Sequence, residues 1–70
     1  MSRSEARRIM ANLDKFKDIA LDFKGIETIG QAFADEIFRV WQNNNPKKRI
    51  EAINQNENVD FMIRRALTEL

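Results

Sequence analysis

The groups in this chain that could do chemistry are carboxylates, amines, amides and a few hydroxyls, because it has no histidine, no cysteine and no tyrosine. Ser2, Ser4, Thr28 and Thr68 are its hydroxyl side chains, and no imidazole is present to activate them as nucleophiles. Asp35 and Glu36 stand side by side, as two carboxylates of an acid–base pair would. Neighbours on a helix, however, diverge by roughly 100° and do not face one bond. Asp35 and Arg39 have instead the i,i+4 spacing of an ion pair. No lysine or carboxylate is placed as a base by any motif. The expectation is a protein that is not an enzyme. No cofactor is implied, and a structural zinc site lacks its usual cysteine and histidine ligands.

A second set of residues suits binding. Asp22, Lys24, Thr28, Gly30, Gln31, Asn54 and Asn56 fall where predicted strands end and the following helices begin. In parallel α/β folds ligands favour that edge. Free amides at a helix start can hold an anion, and Gly30 permits close approach, whereas Asp22 and Glu27 oppose one. The plainer reading of the same residues is capping and turn chemistry.

Two further sets have bland readings. Phe33, Phe38, Trp41 and Phe61 have the helical spacing of core residues, and of these Phe38, Trp41 and Phe61 are candidates for an oligomer interface. The basic groups Arg3/Arg7/Arg8, Lys47/Lys48/Arg49 and Arg64/Arg65 are scattered and separated by acidic residues. They come with no zinc finger, RNP motif or clear helix-turn-helix, which argues against a nucleic-acid surface.

The elements that must position these residues are readable in order. Ser2 and Glu5 have the S-x-x-E spacing of a capping box, and Ala6, Ile9, Met10, Leu13 and Phe16 follow as the apolar stripe of a first helix. Ile19, Leu21 and Phe23 alternate with Ala20 and Asp22, predicting a strand over 18–23 that Gly25 ends. Thr28 and Gln31 form a second predicted box. The helix behind it carries Ile29, Phe33, Ile37, Val40 and Trp41 on one face, which Ala34 and Phe38 broaden. Three asparagines and Pro46 stop that helix. Residues 49–54 predict a second strand, and Asn56 caps a third helix carrying Val59, Met62, Ile63, Ala66 and Leu67. The order α-β-α-β-α is an α/β fold with a small parallel sheet packed by helices.

Seventy residues with 43% hydrophobic and 33% charged content make one globular domain over 1–70. So short a chain buries only about 60% of its unfolded surface, and two strands leave both sheet edges open. The expectation is a homodimer that completes sheet and core. The first residues lack the apolar run of a secretory signal, and no stretch approaches the roughly 18 apolar residues of a membrane span. A cytoplasmic location is expected. The net charge of +1 says little about partners, although the amino-terminal end is basic and the middle acidic.

The segment LDFKGIETIGQAFADEIFRVW, residues 21–41, resembles the central signature of the STAS-like domains. These are small bacterial and phage-associated domains related to anti-sigma factor antagonists and to the STAS domains of sulfate transporters. SRSEARR, residues 2–8, and the stretch from Ile50 to Ala66 resemble the same family. The resemblance implies an α/β sandwich used as a protein-interaction module in regulation, with docking at the carboxyl edge of the strands. Two departures accompany it. The fold normally has strand material before its first helix, and this chain starts at that helix. Antagonists carry a phosphorylatable serine at the start of the helix after the DFSGV-type turn, where this chain has Gln31. The phosphate switch is therefore not carried over. Docking to a protein is the leading reading. A small nucleic-acid-associated regulator and a minimal inhibitor encoded by a mobile element are the alternatives, and salt dependence of binding separates the nucleic-acid reading.

Overall fold

Helix α1 (Arg3–Asn12) begins at the box read from the sequence: Ser2 Oγ accepts the Glu5 amide at 3.2 Å, and Glu5 Oε1 accepts the Ser2 amide at 3.0 Å. The structure is a computed structural model, and it describes residues 2–68. Ala6 and Met10 are buried, but the expected stripe does not hold along its length. The helix stops before Leu13, so Phe16 lies beyond it and is 47% exposed under the Lys15 ammonium. Ile9 is also partly exposed.

Strands β1 (Asp18–Asp22) and β2 (Arg49–Ile53) pair in parallel, with Ala20 opposite Glu51 at the centre of the register. Partners in a parallel ladder share a face. Ile19, Leu21, Ile50 and Ala52 thus look toward the helices, and Asp18, Ala20, Asp22, Arg49, Glu51 and Ile53 form an exposed outer face. Parallel sheets are usually covered on both faces; this one is covered on one.

Between the strands runs one continuous helical segment in three pieces. These are α2 (Gln31–Asp35), a π-helical stretch (Glu36–Trp41) and a last turn α3 (Gln42–Asn44). Its start corrects the sequence reading. Gly30 occupies the N-cap, with no side-chain capping bond, and the Thr28/Gln31 box does not form. Ile29 is 2% exposed, and burying it keeps residues 26–30 outside any helix until the chain has passed the core. Glu36, Ile37 and Phe38 are buried in succession because this run is central: α1 packs against it on one flank and α4 (Glu57–Thr68) on the other. The part of the broad apolar face made by Phe33, Ile37 and Phe38 is thus used within the chain, and Val40 and Trp41 are half-buried.

Helix α4 starts where Asn56 predicted, with the Val59 amide donating to Asn56 Oδ1 at 2.8 Å. Val59, Ile63 and Ala66 face the core, Met62 is half-buried, and Leu67 is exposed. Helices packed side by side stand roughly 8–10 Å apart, whereas strands stand about 4.8 Å apart. A layer of α1, the central run and α4 is therefore wider than the two strands beneath it.

Candidate functional site

At the carboxyl ends of the strands one carboxylate joins three segments. Asp22 Oδ1 accepts the Lys24 backbone amide at 2.9 Å and the Asn54 side-chain amide at 3.1 Å. Both bonds favour the ionised form. They hold the Asp22 carboxyl below the usual aspartate range, the Lys24 amide first and Asn54 second. The geometry needs two left-handed residues, Gly25 at φ 80° and Asn54 at φ 58°. Glycine has no Cβ to clash there, and asparagine tolerates the conformation better than most residues.

Asn56 ties the next layer of the same edge. Its side-chain nitrogen donates to the carbonyls of Ile26 and Glu27 at 3.2 and 2.9 Å, while its oxygen caps α4. Of the sequence candidates, then, Asp22, Lys24 and Asn54 form one bonded group, and Asn56 braces the turn beside it. Thr28 and Gly30 are exposed beyond that turn. Gln31 is turned away from the edge. Its Nε2 donates to Asp35 Oδ1 at 3.2 Å and to the Met62 carbonyl at 3.4 Å, linking α2 to α4. Its Oε1 is buried without a hydrogen-bond partner among the described residues.

Next to this edge lies an apolar groove of about 140 Å³. Ile9 of α1, Leu21 to Phe23 along β1, Ile26 of the turn, and Phe33 and Ile37 of the central run line it. A cavity of about 150 Å³ lined by such side chains takes a benzene-sized group. A broader, more polar hollow of about 260 Å³ lies on the outer sheet face, between Asp18, Ala20, Arg49 and Glu51. Among the described residues no group of three or more His, Cys, Asp or Glu is placed to hold a metal ion, and no helix is long and apolar enough to cross a membrane.

Residues 5–60 match a family profile described as a STAS-like domain of unknown function. The chain belongs to the STAS-like domain family. No curated protein and no solved structure matched it. In this STAS-like domain, Gln31 is already bonded inside the fold.

Sequence reasoning missed the buried charge of the domain. Glu36 is 6% exposed, and its Oε1 meets Arg3 Nη1 at 3.1 Å and Arg7 Nε at 3.4 Å. The i,i+4 spacing of Arg3 and Arg7 was the only available signal, since the partner lies a whole strand and turn away. Other basic groups are also engaged: Arg39 meets Asp35 at 3.9 Å and Arg64 meets Asp60 at 2.7 Å. Of the interface candidates, Phe38 is 7% exposed and belongs to the chain's own core. Trp41 is half-buried, and Phe61 is 56% exposed with the Arg65 guanidinium 5.9 Å from its ring.

Proposed function

We propose that this STAS-like domain works by docking to a protein, as a regulatory interaction domain with no chemistry of its own. The observation that carries the reading is the carboxyl edge. Short side chains at the surface fix its backbone, and Lys24, Glu27, Thr28 and Asn54 are exposed there. A surface held in one conformation before binding loses little entropy on binding. The adjoining groove accepts one apolar anchor side chain from the partner, of the kind that dominates interface energetics. Self-association belongs to the same reading: the outer edge of β2 in the described chain is open, and Phe61 stands exposed on α4.

A photoreactive amino acid at Thr28 tests the docking surface, with the same group at exposed Asn43 as the control at the opposite end of the sheet. Cross-linking in the native host is expected from position 28 and not from position 43. With the captured partner purified, Lys24→Glu is expected to weaken binding about tenfold, or 1.4 kcal/mol, with the melting temperature unchanged. Equal capture from both positions, or unchanged affinity in Lys24→Glu, would refute the reading. Nucleic acid in the cross-linked product, with affinity falling steeply in salt, would favour the nucleic-acid-associated regulator instead.

A further inference from the structure

Among the described residues the apolar groove is lined from α1, β1, the turn and the central run and by none of β2, which sets it beside the flank of β1 away from β2. The cross-strand bonds fix which backbone groups face that side. Arg49 N–H donates to the Lys17 carbonyl and Phe23 N–H to the Ile53 carbonyl, so the odd residues of β1 point toward β2. By the two-residue period of a strand, the amides and carbonyls of Asp18, Ala20 and Asp22 point the other way. A row of backbone groups with no partner among the described residues thus runs along β1 and meets, at Asp22, a groove lined by Ile9, Ile26, Phe33 and Ile37. Above it the helix layer extends past the sheet.

From this juxtaposition we propose that the free edge of β1 is a strand-addition site, taking an extended segment of a partner protein as a third strand. The inference rests on the protein-docking reading and names the class of partner. In such complexes main-chain bonds supply affinity, and pockets for alternate side chains supply specificity. Inward side chains of the added strand are apolar and fill the groove beside Ile9 and Ile26. Outward side chains lie next to Asp18 and Asp22 on the open face, so the charge that fits them is lysine or arginine. That same pair of aspartates disfavours a second copy here. Antiparallel pairing of β1 with itself about Ala20 sets Asp18 of one chain opposite Asp22 of the other, twice, and like charges directly opposite are destabilising.

The test uses a capped peptide, Lys-Val-Lys-Leu-Lys, titrated into the full chain labelled for nuclear magnetic resonance, with Glu-Val-Glu-Leu-Glu as its control. The basic peptide is expected to shift the Ala20 and Asp22 amides, slow their hydrogen exchange, and move the methyl signals of Ile9 and Ile26. Asp18→Lys is expected to weaken that binding about five- to tenfold, because a cross-strand attraction becomes a repulsion. Asp18 is exposed, so the variant keeps its fold, and Asp18→Asn gives an intermediate loss. Shifts centred on β2, equal binding of both peptides, or β1 amides that move with protein concentration alone would overturn the proposal. If the peptide shifts nothing while position 28 still captures a protein, strand addition falls and docking at the turn stands.

Discussion

Both ends of the two-stranded sheet are tied by side chains, but they are tied in opposite manners. At the amino end the ties are made by longer, half-buried side chains of the crossover. The Lys48 ammonium reaches the Asp14 carbonyl and its carboxylate, and lies 5.7 Å from the centre of the Trp41 ring. Gln42 donates to the carbonyls of Asn45 and Lys48 at 3.1 and 2.5 Å, and Asn45 donates to the Trp41 carbonyl at 2.9 Å. The Lys48 side chain is only 22% exposed. At the carboxyl end the ties are short asparagine and aspartate contacts, and the side chains making them, Asp22, Asn54 and Asn56, are exposed. An end whose half-buried side chains are spent on bonds within the chain serves as a closure. One whose backbone is fixed while its surface stays open is suited to recognition.

The largest expected effect comes from Asn56→Ala, which removes a helix cap and two bonds to the turn at once. A loss of about 2 kcal/mol is expected from the cap and the freed carbonyls, read by thermal or urea unfolding. A loss below about 0.5 kcal/mol, the range of ordinary surface changes, would mean that the carboxyl end is not held by this residue.

Lys48→Ala sharpens the other half of the comparison. It deletes a partly buried cation's bonds to Asp14 and its contact with Trp41, at an expected cost of about 1–2 kcal/mol. Partner binding should be untouched, as surface plasmon resonance would register. Equal damage to binding from Lys48→Ala and Asn56→Ala would erase the distinction between the two ends.

A smaller effect is the titration of Asp22. Its folded pKa lies below the unfolded value, so its contribution to stability is complete above the ordinary aspartate pKa of about 3.9 and is lost as pH falls through the folded value. Asn54→Ala removes the lesser of the two causes and should move the carboxyl signal partway back toward the ordinary value. An unchanged titration curve would show that Asn54 does not touch the carboxylate in solution.

Much of this architecture was legible because its signals are local. The Ser2/Glu5 box, the Asn56 cap, the period-two strand over Ile19, Leu21 and Phe23, and the stop at the asparagines involve residues within a turn of each other. The parallel pairing followed from element order alone. What escaped depends on what lies across the fold. Thr28 and Gln31 had the right spacing for a cap, but burial of Ile29 overrode it. Gln31 read as part of the binding edge until Met62 of α4 met it, and Phe38 as an interface candidate until α1 and α4 flanked its helix. The site was half legible for the same reason: Asp22, Lys24 and Asn54 do meet, whereas the free edge of β1 needed its neighbours to be seen.

The parallel pairing of β1 and β2 also governs how the chain comes to fold. Antiparallel neighbours can zip from a tight turn, but here Asp18 first meets Arg49 only after the whole intervening crossover has been traversed. The described sheet has no hairpin from which to start. Loop-closure entropy must be met before any ladder bond forms, and such non-local contacts slow folding. Neither strand can gain its ladder partner until that crossover has closed, so the sheet and the turns at its carboxyl edge take shape together.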